Sequence, residues 1–176
     1  MAFGRGKKLD TEAQLYEYAV GALARRMRSV AELKRLLRRR VEPGELGDTL
    51  VELIIAKLKE QRYLNDAQYA STYSSLRREN DKFGRRRVIT DLKSRGVHSD
   101  VIDKAIAGTY ENVNEEKLAR EYLRRKRLPK PSDQKQAARI FRSLVRAGFG
   151  TRTIIAILKK WDVDDEVLTA LETEES

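Results

Sequence analysis

The chain has 176 residues, with 37 Lys and Arg against 27 Asp and Glu, for a net charge of +10. It has no Cys and one His, which excludes disulfides, a thiol nucleophile, a Cys/His metal cluster and most histidine-based catalysis. Apolar residues make up 40% and can build cores, yet the longest apolar runs, such as 154–158, are far too short to span a membrane. A basic, cytoplasmic protein with anionic partners is the expectation.

Residues 1–10 read as a flexible basic arm, and with no apolar stretch among them no signal peptide is expected. From there on, apolar residues recur at i, i+3, i+4 and i+7, and no stretch alternates with period two. Residues 11–64 predict helices near 11–26, 29–40 and 45–62, the second opened by a capping box, Ser29-Val-Ala-Glu32. Residues 65–112 predict helices near 66–79, 84–95 and 99–108. Residues 113–161 predict helices near 114–126, 133–147 and 151–160. The acidic tail, 162–176, is expected to be frayed, with room for a short helix over 162–171. Pro43, Pro129 and Pro131 fall in connections, and Gly96 and Gly148 each follow a basic helical stretch, where a helix C′ glycine belongs.

These segments repeat. Residues 91–106 align with 143–158 without a gap, so that Leu92 meets Leu144, Gly96 meets Gly148 and Ile102 meets Ile154. A looser copy, Leu33 to Val41, matches Ile89 to Val97, with Arg40 in place of the glycine and Glu42-Pro43-Gly44 lengthening the turn. The expected fold is all-α: three tandem three-helix repeats stacked in an elongated, curved array. Expected core residues include Leu33, Leu37, Leu53, Ile54 and Leu58 in the first repeat. The second should use Tyr69, Tyr73, Leu76, Val88 and Leu92. The third should use Leu118, Tyr122, Phe141, Leu144 and Leu158, lidded by Trp161.

No phosphate-binding loop of the G-x-x-x-x-G-K-[ST] type occurs, and no nucleophile–base–orienter set can be assembled. His98 follows Gly96 and reads as a solvent-facing turn residue. No catalytic residue, metal site or cofactor is expected. The cations, by contrast, are organised. Residues 1–161 hold all 37 cations and 20 acids, a net +17, while the tail carries seven acids and no cation. Lys117, Arg120, Arg124 and Arg127 fall on one helical face, and Arg139, Arg142 and Arg146 repeat the pattern. Arg35, Arg38 and Arg39 do so in the first repeat, where Arg25, Arg26 and Arg28 close the preceding helix. Arg85, Arg86 and Arg87 open a helix after Gly84, against the helix dipole, which marks them as functional candidates. Arginine suits bidentate contact with phosphate or carboxylate. The third helix of the second repeat offers only Lys104 beside Asp100 and Asp103, so base reading in the major groove is disfavoured against sequence-tolerant backbone contact.

The segments Tyr63-Leu-Asn-Asp-Ala-Gln-Tyr-Ala-Ser-Thr-Tyr-Ser-Ser-Leu-Arg77 and Gly84-Arg-Arg-Arg-Val-Ile-Thr-Asp-Leu-Lys-Ser-Arg-Gly-Val97 resemble the centre of RecX-family recombination regulators. Leu23 to Leu36 resembles the family's first repeat, and the resemblance extends over about residues 12–160. It implies three tandem three-helix repeats and a non-enzymatic, cytoplasmic protein that binds the RecA recombinase filament and DNA. It implies inhibition of recombinase ATPase, strand exchange and coprotease activity. A monomer is expected. On this reading the contact residues are Arg25, Arg28, Arg35, Arg39, Arg77, Arg85, Arg86, Arg87, Arg120, Arg124 and Arg127. The alternatives are a stand-alone, sequence-tolerant nucleic-acid-binding module and, less favoured for want of a catalytic set, an RNA-processing enzyme.

Overall fold

The structure, a computed structural model, describes residues 8–174. Ten α-helices and no strand occur among them: α1 Glu12–Arg25, α2 Val30–Arg38, α3 Glu45–Glu60, α4 Asp66–Leu76, α5 Arg85–Ser94, α6 Ser99–Tyr110, α7 Glu115–Arg125, α8 Gln134–Arg146, α9 Thr151–Lys159 and α10 Asp165–Glu174. The chain is all-α and built of tandem three-helix repeats, as its periodicity predicts. Most of the arm expected at residues 1–10 lies outside the described residues.

Two compact units divide the chain. The first comprises the described residues up to Ala70 together with Lys93–Ile102. Here α1, α2 and α3 pack on one another around Leu15, Leu33, Leu37, Val51, Ile54, Ile55 and Leu58. Along α3 the buried positions run 51, 54, 55 and 58, so Leu53 falls on the opposite face and is 48% exposed, contrary to its expected place in the core. The capping box at Ser29 and Glu32 forms as predicted. It is also a tertiary hub. The Ser29 hydroxyl donates to the Arg95 carbonyl at 2.6 Å, and Asp66 accepts from the Val30 N–H at 2.8 Å. Arg40, which stands where the other repeats carry glycine, keeps an ordinary backbone. Its turn is tied from the N-terminal side, by Leu9 N–H to the Arg40 carbonyl at 2.7 Å and Lys8 Nζ to the Val41 carbonyl at 2.6 Å.

The second unit comprises Ser71–Leu92 and residues from Asp103 onward. Its core gathers Leu118, Tyr122, Phe141, Leu144, Phe149, Ile154 and Leu158. Leu76 does not join a core and is 45% exposed. The buried face of α4 turns toward Ser74, and the helix then widens into a π-helical turn over Arg77–Asp81. The acidic tail is not frayed through residue 174. Leu168 and Leu171 recur at helical spacing, so α10 buries both against α8 and α9, while Asp162 and Asp165 pair with Lys130 and Lys159.

Four helix ends follow one scheme. At α3, α7, α8 and α9 a residue with positive φ (Arg62, Arg127, Gly148, Asp162) lets the next N–H reach back to a carbonyl five residues earlier. The bonds are Tyr63 to Leu58, Leu128 to Leu123, Phe149 to Leu144 and Val163 to Leu158, at 2.9–3.2 Å. The orphan carbonyls are thereby satisfied, and an apolar side chain folds back over each of the last three turns.

Candidate functional site

The candidate site is a set of basic side chains, and its construction begins at backbone level. In the second unit the start of α5 rests on the end of α8. The Gly84 N–H donates to the Ala147 carbonyl at 2.8 Å and the Arg86 N–H to the Gly148 carbonyl at 3.3 Å. Carbonyls at a helix C-terminus carry partial negative charge, and here they face the positive N-terminal end of α5. This arrangement offsets the dipole cost of opening a helix with three arginines. Arg85 and Arg86 are exposed and have no carboxylate partner among the described residues. Arg87 is engaged: it pairs with Asp91 at 3.1 Å and lies 5.7 Å from the Phe83 ring centroid.

Arg77 sits at the π-helical turn, held to Asp81 at 2.7 Å, with its guanidinium 4.9 Å from the Tyr73 ring centroid. Arg125 braces the same turn from α7, donating to the Asn80 carbonyl and pairing with Asp81 at 3.6 Å. Arg120 pairs with Glu116, which also receives Lys160 at 2.7 Å. Hydrogen bonds from Lys160 and Arg120 hold the Glu116 carboxyl below its ordinary range. A hydrogen bond from Lys82 does the same for Glu121. Arg124 is exposed and makes no direct ion pair among the described residues, but its charge adds to that of Lys82 in lowering Glu121. Arg127 is not on the helical stripe expected for it. Helix α7 ends at Arg125, and Arg127 occupies the left-handed turn beyond, at φ +53°.

In the first unit Arg25 and Arg28 turn back onto the end of their own helix. Their Nε groups donate to the Gly21 and Ala22 carbonyls, at 3.1 and 3.5 Å. Arg35 and Arg39 are exposed, without a carboxylate partner among the described residues. Their neighbour Arg38 pairs with Asp48 at 3.0 Å. The network around Glu32 was not legible as such. Its carboxylate accepts from the Arg95 guanidinium at 2.8 Å and the Tyr69 hydroxyl at 3.2 Å. Burial, and next the Glu32 charge, push the Tyr69 phenol up. Only the capping-box half of this network has a local signature, since Arg95 is 63 residues away from Glu32.

Among the described residues no group of three His, Cys, Asp or Glu side chains is placed to hold a metal ion, and no helix is long and apolar enough to cross a membrane. His98 is exposed, as expected of a turn residue.

Comparison with known proteins places this architecture. A family model described as RecX, second three-helix domain, matches residues 65–106. The chain is 31% identical over 157 residues to the regulatory protein RecX of Pseudomonas putida, covering 89% of this chain and 97% of that protein. It is 32% identical over 134 residues to the regulatory protein RecX of Mycolicibacterium vanbaalenii, covering 72% and 71% of the two chains. Among solved structures, that of RecX from Lactobacillus salivarius superposes with a TM-score of 0.66 at 21% identity, over 86% of this chain and 96% of that one. A second crystal structure of a regulatory protein RecX gives 0.65 at 23% identity, over 85% and 71%. At these identities the structural likeness is one of fold.

Proposed function

The chain belongs to the RecX family of regulatory proteins, and from that premise we propose that it is a non-enzymatic regulator that binds the RecA recombinase filament and DNA. It acts in the cytoplasm as a monomer and inhibits recombinase ATPase, strand exchange and coprotease activity. What supports the reading is a repeated helical body bearing exposed arginines that no carboxylate answers among the described residues, Arg35, Arg39, Arg85 and Arg86. Such side chains meet phosphates and acidic protein surfaces without first breaking an internal pair. Arg85 and Arg86 head the list because α8 fixes the backbone that presents them.

Titrating the purified chain into recombinase filaments on single-stranded DNA tests this. DNA-dependent ATPase and strand exchange should both fall. Unchanged rates at saturating concentration overturn the filament reading. Salt-dependent DNA affinity with no filament affinity would instead favour the stand-alone nucleic-acid-binding module.

A further inference from the structure

Between α7 and α8 lies a concavity of about 300 Å³ lined by Tyr122, Lys126, Leu128, Arg139, Ser143 and Arg146. Helical spacing assembles it. Tyr122 and Lys126 are four residues apart at the end of α7, and Arg139, Ser143 and Arg146 share one face of α8. The Tyr122 and Ser143 hydroxyls meet at 3.3 Å, and Lys126 Nζ lies 5.9 Å from the Tyr122 ring centroid. Three cations and two hydroxyls thus line one groove, with Leu128 beside them.

No acidic side chain lines this groove, and among the described residues Lys126, Arg139 and Arg146 form no ion pair. That sets them apart from much of the basic surface, where Lys34, Arg38, Lys57, Lys82, Arg87 and Arg120 each find a carboxylate. Like charges gathered without a counter-anion repel one another, so the groove is electrostatically incomplete as it stands. Its donors approach from both helices. A planar carboxylate offers two oxygens and uses only part of such a set. A phosphate group offers three or four acceptor oxygens and matches it.

We propose that the α7–α8 groove is a phosphate-binding site, with Arg139 and Arg146 as forked donors, Lys126 as a point charge, and the Tyr122 and Ser143 hydroxyls completing the cradle. The proposal deepens the DNA-binding part of the function above. It is tested on the full chain alone, so its failure is distinguishable from failure of the filament reading.

The experiment measures binding of a labelled twenty-nucleotide oligothymidylate and of inorganic pyrophosphate across a salt series. The chains compared are wild type, Arg139→Gln/Arg146→Gln, Ser143→Asp, and a control of equal charge loss, Lys59→Gln/Arg152→Gln. All five altered positions except Ser143 are exposed, and circular dichroism confirms the fold. The groove variants should bind the oligonucleotide about tenfold more weakly than wild type, with the arginine pair lowering the salt slope by about 2. The control should lose less than threefold on that same electrostatic scale. Loss for the oligonucleotide assigns the site to a nucleic-acid strand. Loss confined to pyrophosphate assigns it to a free phosphate compound. The proposal is overturned if groove and control variants behave alike for both probes, or if wild type binds neither. It is overturned too if hexaglutamate displaces the oligonucleotide as well as pyrophosphate does.

Discussion

At Gly148 the backbone has φ +90° and runs so close to α5 that a Cβ there would lie 2.2 Å from the Arg87 nitrogen. An alanine must both enter the left-handed region, at a cost of about 1–2 kcal/mol, and push the two helix ends apart. Gly148→Ala should therefore lose at least about 2 kcal/mol in urea unfolding. Gly21 supplies the contrast. It lies within α1 with no atom within 4 Å of its would-be Cβ, so Gly21→Ala should gain about 0.5–1 kcal/mol. Equal effects at both glycines would contradict the contact between the end of α8 and the start of α5. Glu32 tests a different kind of residue. Its carboxylate accepts from the Ser29 N–H, Tyr69 and Arg95, with its side chain only 11% exposed. Glu32→Gln keeps the shape and removes the charge, and should cost about 1.5–3 kcal/mol as charge-assisted bonds weaken. The same change should lower the Tyr69 phenol pKa, because the Glu32 charge is one of the influences that raise it. An unmoved phenol in a spectrophotometric titration would show that the pair does not interact.

Helices were the most legible elements, because a 3.6-residue apolar stripe leaves little choice of period. The nine helices of the repeats fall within a few residues of their predicted bounds. The error on α3 has a plain cause: a stripe assigned one position out of phase. On α3 the apolar residues at 50, 53, 54 and 58 competed with 51, 54, 55 and 58, and only packing decides between them. The basic surface was legible as composition but not as partnership. Pairs at i, i+4, such as Arg77 with Asp81 and Arg87 with Asp91, can be read locally. The pairing of Lys160 with Glu116 spans 44 residues, and no local pattern announces it. At the C-terminus composition misled, since seven acids masked two leucines that α10 buries. Leu168→Ala should cost about 2–4 kcal/mol in denaturant unfolding, and truncation after Trp161 should cost more. Stability unchanged by either would mean that α10 does not belong to the core of its unit. Truncation is therefore a poor probe of electrostatic screening by the tail. Glu166→Gln/Glu172→Gln keeps the leucines, and should tighten DNA binding at low salt if the acidic helix opposes it.

Over the whole molecule the acids do two jobs: they hold cations in place, and they leave a chosen remainder unpaired. The first is read by pH. Glu116, Glu121 and Asp162 are held below the ordinary carboxylate range by hydrogen bonds from Lys160, Lys82 and Lys130 respectively. A depressed folded pKa stabilises the fold above the unfolded value, near pH 4, and that contribution is lost as pH falls through the folded value. Urea midpoints should hold from pH 7 to about pH 5 and fall below about pH 4. A Glu116→Gln/Glu121→Gln chain should fall less on acidification. The second job is read by salt. Each unpaired arginine that meets a phosphate releases counterions, so it steepens the salt dependence of DNA affinity, whereas a cation held by its own carboxylate contributes little. Arg85 and Arg86 belong to the first kind. Lys57 belongs to the second, paired with Glu12 at 3.0 Å and lying 5.0 Å from the Tyr16 ring centroid. Arg85→Glu/Arg86→Glu should therefore weaken DNA and filament binding more than Lys57→Glu/Lys59→Glu, although both change the net charge by the same amount. It should also flatten the salt slope by about 2, more than the lysine pair does, since Lys57 is already held by Glu12. Equal losses in affinity and slope would mean that total charge, and not the placement of unpaired arginines, governs binding.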